Sequence, residues 1–144
     1  MLTRYFALAF GIVYVIVGIV GLIPAFYTTP PASAPHVDAT AAYGYLFGIF
    51  PVNAWHDAVH ILTGLAGIAC SARLRASVYY SRILFLAFGL LTVLGFMPQA
   101  NTLWGLVPIF GSDTWLHAVT SIAGAFFGWV APPVEEDELV PAHA

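Results

Sequence analysis

The chain has 144 residues, of which 60% are apolar and 8% are charged, and its mean hydropathy is +0.88. Soluble domains carry about 25% charged residues, so this composition excludes an ordinary water-soluble domain. A formal net charge of −3 with four basic residues also excludes a basic nucleic-acid-binding surface, and the single cysteine, Cys70, excludes an internal disulfide.

Four long apolar segments account for the composition. They cover residues 5–23, 53–72, 79–97 and 113–131. Each is close to the roughly 20 residues that a helix needs to cross a hydrocarbon core of about 30 Å. The sequence therefore predicts an all-α fold, an integral membrane four-helix bundle over residues 1–131, followed by an acidic tail over residues 132–144.

The length of the first segment distinguishes a membrane helix from a signal peptide. Its apolar run exceeds the roughly 7–15 residues of a signal-peptide core, so we expect it to remain as a membrane helix that ends at Pro24.

The proline-rich residues 25–43 predict an irregular loop. Residues 43–50 are apolar but too short to span a membrane, so we expect them to lie at its interface or to fold back as a re-entrant segment.

The basic residues predict the orientation of the bundle. All are arginines, at positions 4, 73, 75 and 82. In a four-span arrangement they fall on one side, beside the amino terminus and in the second connection. Because short cytoplasmic segments are enriched in arginine and lysine, both termini are predicted to be cytoplasmic.

The chain contains an internal repeat. Residues 48–67 recur without gaps, at an offset of 57 residues, as residues 105–124. Six of the twenty paired positions are identical: Gly48/Gly105, Pro51/Pro108, His60/His117, Thr63/Thr120, Ala66/Ala123 and Gly67/Gly124. Both copies run in the same direction, which predicts two parallel helix–loop–helix repeats related by a pseudo-two-fold axis along the membrane normal.

Each copy places two polar side chains one helical turn apart. Asn53 stands where an N-cap would begin the second helix, and His56 and His60 follow it; Asp113 and His117 occupy the equivalent places in the fourth helix. Residues four apart share one helix face. If the two faces meet, three imidazoles and one carboxylate converge near the outer ends of these helices, open to extracytoplasmic water.

Three functional interpretations follow from this convergence. A transition-metal ion would be bound by His56, His60, Asp113 and His117, because imidazole and carboxylate suit such ions. A haem-like tetrapyrrole would be held by the repeat-related His60 and His117. A protonation switch would use the titration of histidine near neutral pH. Without any ligand, the same side chains could cap the helices and anchor them at the interface.

The remaining polar positions predict less. The segment from His56 to His60 resembles the H-E-x-x-H pattern of zinc proteases, but Asp57 is one methylene shorter than the glutamate general base, so the sequence predicts no protease. We expect Asp57 to face water or the segment of residues 25–52. His36, in the loop, and His143, in the tail, are expected to lie outside any site.

Three stretches carry a family resemblance. They are FALAFGIVYVIVGIVGLIP (6–24), GYLFGIFPVNAWHDAVHILTGLAG (44–67) and GFMPQANTLWGLVPIFGSDTWLHAVTSIAGAFFG (95–128). The chain resembles an uncharacterised bacterial family of four-span membrane proteins called domain of unknown function four-three-eight-three. This resemblance implies the fold and a multi-pass protein of the bacterial inner membrane, and it brings no activity. The family often has His-Asn where this chain has His56-Asp57.

We therefore expect a small, non-enzymatic integral membrane protein with an extracytoplasmic His/Asp site between helices two and four, which binds a metal ion or a tetrapyrrole. The alternative is an accessory or scaffolding subunit that packs against a larger membrane complex through its glycine faces and has no ligand. A metalloenzyme built on residues 56–60 is a third possibility. Expected partners are the lipid bilayer and either a second copy or a larger membrane complex, and no nucleic acid.

Overall fold

A computed structural model describes residues 1–131, and this range is mainly helical. The helices are α1 (Leu2–Gly21), α2 (Ala54–Cys70), α3 (Leu74–Phe96) and α4 (Ser112–Ala125), which runs directly into a π-helix (Phe126–Val130). The prediction of four helices is thereby confirmed for the described range. Two of them, α1 and α3, are long and apolar enough to cross a membrane. The predicted tail, residues 132–144, lies outside the described residues.

Two helices begin earlier than predicted because tertiary contacts hold their polar first turns. α1 begins at Leu2, where the Thr3 hydroxyl donates a hydrogen bond to the Phe127 carbonyl (3.2 Å). α3 begins at Leu74, and the Ser77 hydroxyl lies 3.0 Å from the carbonyl oxygen of Cys70 at the end of α2. These local polar residues interrupt the apolar pattern, so hydropathy alone placed both helix starts too late.

A small antiparallel sheet, which the sequence did not predict, adds to the four helices of this mainly helical fold. Within residues 1–131 its strands are β1 (Tyr27–Thr28), β2 (Gly44–Leu46) and β3 (Phe50–Val52), in the order β1-β2-β3. Residues 43–50 thus form most of a hairpin. Phe47 and Gly48, at φ 52° and 72°, make its tight turn, and Pro51 is tolerated because β3 lies at an edge of the sheet. Apart from β1 and the 3₁₀ turn that ends at Phe26, residues 25–43 are irregular, as their prolines predicted. The length of residues 43–50 excluded a membrane span but gave no sign of strand pairing.

The helices pack as two pairs, α1 on α2 and α3 on α4. A Cβ added at Gly11 would lie 2.6 Å from the Gly64 carbonyl oxygen, and one added at Gly64 would lie 2.5 Å from that of Gly11. Likewise, a Cβ at Gly124 would lie 2.7 Å from the Ser81 carbonyl oxygen on α3. Only glycine permits such close backbone contact. The relation of the two pairs by a parallel repeat stays a prediction.

The two ends of the bundle differ in composition. The Arg4 side chain donates to the Ser71 carbonyl (2.8 Å), and the Arg82 side chain donates to the Gly128 carbonyl (3.0 Å). These bonds bring the starts of α1 and α3 together with the ends of α2 and α4. We call this region, with Arg73 and Arg75 in the α2–α3 turn, the arginine end; the sheet lies at the opposite end, which we call the sheet end.

Polarity is distributed unusually between the inside and the outside of the bundle. Buried polar side chains are Thr3, Asn53, His56, Asp57, His60, Ser77, Ser81, Asp113, Thr114, His117, Thr120 and Ser121. The main apolar cluster inside is small and centres on Ala7, Tyr14 and Phe88. By contrast, large apolar side chains such as Leu62 and Ile122 are exposed. Most of the polar interior on α2 and α4 lies toward the sheet end.

Candidate metal centre

Asn53 fixes the start of α2. Its side-chain oxygen accepts a hydrogen bond from the His56 backbone N–H (3.0 Å), which confirms the predicted N-cap. Its amide nitrogen donates to the carbonyls of Ala39 (2.9 Å) and Leu106 (2.8 Å). Asn53 therefore ties the first turn of α2 to the α1–α2 and α3–α4 connections. Because His60 lies one turn further on, the same residue sets the position of both histidines of α2.

The start of α4 is set by a glycine and a threonine. Gly111, at φ 65°, adopts a conformation that L-residues rarely take and lets the connection turn into the helix. The Thr114 hydroxyl then donates to the Ile109 carbonyl (2.8 Å). This contact anchors the first turn, and it directs Asp113 and His117 toward the centre of the bundle, where each is 1% exposed.

Three histidines meet in the centre and form what we call the histidine cluster: His56, His60 and His117. One ring nitrogen of each lies within 4.8 Å of the corresponding nitrogens of the other two. The ring centroids of His56 and His60 are 4.4 Å apart, and those of His56 and His117 are 6.0 Å apart. None of the three rings is more than 4% exposed. The predicted convergence of α2 and α4 histidines therefore occurs in the structure. The expectation that the site is open to water is wrong, because the packed helices and their connections bury all three rings.

Asp113 lies against the cluster. Its Oδ2 atom is 3.2 Å from His117 Nε2 and 3.7 Å from His56 Nε2. Among the described residues, Oδ2 nevertheless has no partner with hydrogen-bond geometry, and the same holds for Nδ1 of His117 and for both ring nitrogens of His56 and His60. Buried polar atoms are nearly always paired in proteins. Such a concentration of unpaired nitrogen and oxygen atoms is typical of a site that receives a ligand.

Aromatic side chains and backbone carbonyls surround the cluster. Tyr14 of α1 packs edge-on against His60 (centroids 5.0 Å apart), and Phe88 of α3 packs edge-on against His117 (5.2 Å). The backbone carbonyls of Pro51 and Pro108 approach His56. All four helices or their flanking segments thus contribute to the site, and the packed rings limit the orientations available to the imidazoles.

The expectation for Asp57 is wrong, since this side chain is fully buried at the α1–α2 interface. Both of its carboxylate oxygens lack a hydrogen-bond partner within the described part of the chain. A Cβ added at Gly21 would overlap the carboxylate. Asp57 follows His56 by one residue, so its side chain points about 100° away around the helix, toward α1 instead of the cluster. In the sequence, Gly21 indicated a close helix contact, but nothing indicated that Asp57 would be the residue packed against it.

Two other histidines, His36 and His143, were predicted to lie outside any site. The His36 ring is exposed in the loop and contacts the Asp38 carboxylate at 3.0 Å, so it is not part of the cluster. His143 lies outside the described residues.

Sequence reasoning missed the contact between the Tyr14 hydroxyl and the Thr120 hydroxyl (3.1 Å), which joins α1 to α4 just below the cluster.

These features define a small, mainly helical protein whose polar centre gathers three histidines and an aspartate inside an apolar outer surface. The chain belongs to the family described as Domain of unknown function (DUF4383), which matches residues 4–130 and confirms the family resemblance. The match covers both helix pairs and the whole histidine cluster. No curated protein and no solved structure matches the chain. The functional conclusion therefore depends on the site itself.

Proposed function

We propose that the protein is a small membrane protein that binds a divalent transition-metal ion at His56, His60 and His117. The observation that carries this proposal is the meeting of three buried imidazoles whose nitrogens lie within 4.8 Å of one another. Both ring nitrogens of His60 and Nδ1 of His117 have no hydrogen-bond partner among the described residues, and those of His56 have only the nearby Pro51 and Pro108 carbonyls, outside strict hydrogen-bond geometry. Leaving a buried polar atom unpaired costs about 1–3 kcal/mol, and a shared ion would satisfy several of these atoms at once.

The chemistry of the donor set indicates the class of ion. Imidazole suits zinc, copper, iron and nickel, whereas magnesium and calcium prefer oxygen ligands. Around a tetrahedral ion with metal–nitrogen distances of about 2.0–2.1 Å, ligand nitrogens lie roughly 3.3 Å apart. Small side-chain rotations would therefore have to bring the imidazoles closer on binding. Three protein ligands would leave one coordination position open.

Asp113 is proposed to orient His117. The Nδ1 atom of His117 has no partner among residues 1–131, whereas Nε2 lies 3.2 Å from the Asp113 carboxylate. Coordination through Nδ1 would let Nε2–H donate to that carboxylate. Metal-bound histidines commonly make this type of contact, which holds the ring and raises its basicity. Asp113 would then support the metal site without occupying the fourth position.

An ion fits the cluster better than a tetrapyrrole. A macrocycle held by His60 and His117 would need a wide slot between the two imidazoles. The His56 ring lies 4.4 Å from the His60 ring and 6.0 Å from the His117 ring, and thus occupies the space beside them. Tyr14 and Phe88 pack against the other sides of these rings. We therefore propose a metal ion as the ligand and assign the site no reaction.

Four membrane spans are proposed for the bundle. Exposed apolar side chains lie on every helix, for example Ile12, Leu62, Leu86 and Ile122. α2 has 17 residues, and α4 with its π-helical continuation runs over residues 112–130, so both approach the length of a span. The proposed location is the bacterial inner membrane, with the arginine end and both termini in the cytoplasm and the histidine cluster toward the outside.

The scaffolding alternative loses part of its basis. It required glycine faces that are free to contact another protein. Gly11, Gly64 and Gly124 instead contact neighbouring helices of the same chain. An accessory subunit would have to use the apolar outer faces, which the bilayer equally explains. Metal binding therefore remains the leading proposal.

Metal content tests the proposed function. The wild-type protein, purified in mild detergent and reconstituted with Zn²⁺ or Co²⁺, should bind about one ion per chain by elemental analysis. His60→Ala and His117→Ala should each abolish stoichiometric metal binding, because each change leaves only two of the three proposed imidazole ligands. Asp113→Asn should retain the ion with about 10–100-fold lower affinity, as expected for loss of an orienting carboxylate.

The matched control is His36→Ala, which removes an imidazole outside the cluster and should leave the metal content unchanged. Size-exclusion profiles and helicity by circular dichroism should be the same for all variants. A wild-type protein that binds no ion stoichiometrically, or equal losses in His36→Ala and His117→Ala, would contradict the proposal.

A further inference from the structure

Two adjoining cavities lie at the arginine end. The larger, of about 490 Å³, is formed by the start of α1 and the α2–α3 turn, with walls made by Met1, Arg4, Ala72, Arg73, Leu74 and Arg75. The smaller, of about 350 Å³, shares Met1, Arg4 and Ala72 with the larger one. It continues along α1 to Tyr5 and Leu8. Because they share these walls, the two cavities form one continuous site, which we call the arginine groove.

The arginines of the groove are positioned by other parts of the bundle. Arg4 donates through Nε to the Ser71 carbonyl just after α2 (2.8 Å), which uses one of the five N–H donors of its guanidinium. The Arg75 guanidinium lies 5.8 Å from the centre of the Tyr79 ring, and Arg73 is exposed in the turn. A guanidinium stays charged at any physiological pH. The groove therefore presents three positive charges, two of them with restricted positions.

No acidic side chain of the described range balances these charges. Within residues 1–131 none of the three arginines makes a salt bridge. The acidic residues of this range lie toward the sheet end, and they are Asp38, Asp57 and Asp113. Phosphate oxygens accept charge-assisted hydrogen bonds from the planar fork of a guanidinium. The groove is therefore suited to an anion that carries a phosphate group.

The groove continues into an apolar stripe on α1. Tyr5, Leu8, Ile12 and Ile16 are all exposed, and they follow one another at intervals of three or four residues, so they lie on one face of the helix. Tyr5 and Leu8 also line the smaller cavity. The stripe thus begins beside the arginines and runs toward the middle of the bundle, where an acyl chain would pack against it.

We propose that the arginine groove binds one phospholipid with a net negative headgroup. Its phosphate lies at Arg4, Arg73 and Arg75, and one acyl chain follows the apolar stripe of α1. A zwitterionic headgroup fits less well, because its cationic group would lie among three arginines without a carboxylate of the described range beside it. The inference rests on the membrane location and orientation given under the proposed function, and it is independent of the metal.

Native mass spectrometry of the full-length protein in mild detergent tests the proposal. The probe is an equimolar mixture of dioleoylphosphatidylglycerol, which is anionic, and dioleoylphosphatidylcholine, which is zwitterionic and has the same chains. The wild type should retain one phosphatidylglycerol per chain in preference to phosphatidylcholine. Arg4→Gln should weaken this retention by about tenfold or more, because a hydrogen bond to a charged phosphate is lost.

The matched control is Arg82→Gln. Arg82 also lies at the arginine end and donates to a backbone carbonyl, that of Gly128, but it lines neither cavity. This variant should retain phosphatidylglycerol as the wild type does. If Arg4→Gln loses helicity, Arg73→Gln removes an exposed charge of the groove and serves as the second variant. Equal loss in the control and in the groove variants, or equal retention of both lipids by the wild type, would overturn the proposal.

Two other sources of negative charge are separated by further experiments. Glycerol 3-phosphate in large molar excess should leave the lipid bound, because it lacks the chain that packs on α1; complete displacement would identify a free phosphate ester as the ligand and overturn the proposal. The acidic segment of the chain itself is tested by a full-length variant with Glu135→Gln, Glu136→Gln, Asp137→Asn and Glu138→Gln. It should retain the lipid as the wild type does, and retention by this variant alone would overturn the proposal in favour of that segment.

Failure of this inference and failure of the proposed function can be told apart. Selective retention of phosphatidylglycerol by a protein that binds no stoichiometric metal would support the groove and overturn the metal site. Stoichiometric metal without lipid selectivity, in a protein extracted from the membrane fraction, would overturn the groove and leave the metal site and the membrane location intact. Recovery of the protein from the soluble fraction without detergent would overturn the membrane location, and the inference with it.

Discussion

Asp57 shows how strongly a single residue depends on its neighbour in this bundle. Its carboxylate is fully buried and has no hydrogen-bond partner among residues 1–131. An unpaired polar group in such a place destabilises the fold, so the position has to be accommodated by the helix that packs on it. Gly21 of α1 provides the space, since any side chain there would overlap the carboxylate.

We expect Gly21→Ala to destabilise the protein by about 1–3 kcal/mol, because the new methyl group overpacks the interface. Adding Asp57→Ala should restore much of this loss by removing the group that clashes. SDS-induced unfolding in mixed micelles, followed by tryptophan fluorescence, measures the two free energies of unfolding. Additive effects of the two changes would show that the residues are not coupled.

The control for this pair is Gly89→Ala. A Cβ at Gly89 would meet only the Ser121 hydroxyl, at 3.1 Å. Because alanine is also the better helix former by about 1 kcal/mol, this variant should be near neutral or slightly stabilised. A loss as large as that of Gly21→Ala would mean that any methyl group on these helices destabilises them.

At the scale of elements, the start of α2 connects the fold to the site. Asn53 caps the helix and also holds the two connections through the carbonyls of Ala39 and Leu106. The three bonds are made by one fully buried side chain. Its loss would leave a backbone N–H and two carbonyls without their present partners, and it would free the turn that carries His56.

Asn53→Ala should therefore destabilise the protein by about 2–4 kcal/mol, since a lost cap and unpaired buried groups add together. It should also lower the affinity for Zn²⁺, although Asn53 is not a proposed ligand. Unfolding curves and metal titrations on one preparation measure both effects. Asn101→Ala, in the α3–α4 connection, is the control and should change neither the stability nor the Zn²⁺ affinity appreciably. If Asn53→Ala leaves the Zn²⁺ affinity unaltered, the N-cap does not position the histidines.

At the scale of the whole molecule, the polar centre and the apolar outer surface support the proposal that lipid surrounds the protein. Exposed Leu62, Leu86 and Ile122 lie on three different helices, whereas the arginines gather at one end. Side chains of this kind on the outside need no partner protein if lipid surrounds them. The proposed orientation of the molecule rests on the position of the arginine end.

Cysteine labelling tests this orientation. In a Cys70→Ala background, Ser33→Cys in the first connection should react with a membrane-impermeant maleimide added to intact spheroplasts. Ala72→Cys, at the arginine end, should react only after the membrane is permeabilised, because the positive-inside rule places that end in the cytoplasm. Both positions are exposed in the structure. Labelling of Ala72→Cys alone in intact spheroplasts would reverse the proposed topology.

Local sequence patterns determined much of this protein. Apolar runs predicted the helices, Asn53 was recognised as an N-cap, and the four-residue spacing placed His56 with His60 and Asp113 with His117 on shared faces. These features depend on residues close together in the chain, whose geometry is set by the helix itself. The repeat further indicated that the two faces would meet.

Only the tertiary structure decided which groups surround the site. The burial of Asp57 against Gly21 and the pairing of Tyr14 with Thr120 each depend on how far one helix is rotated and displaced relative to another. A rotation of about 100° separates one residue from the next, so His56 joins the cluster while Asp57 faces α1. The hairpin of β2 and β3 likewise depends on tertiary packing, here of α4 against β3, because strands this short are not stable alone.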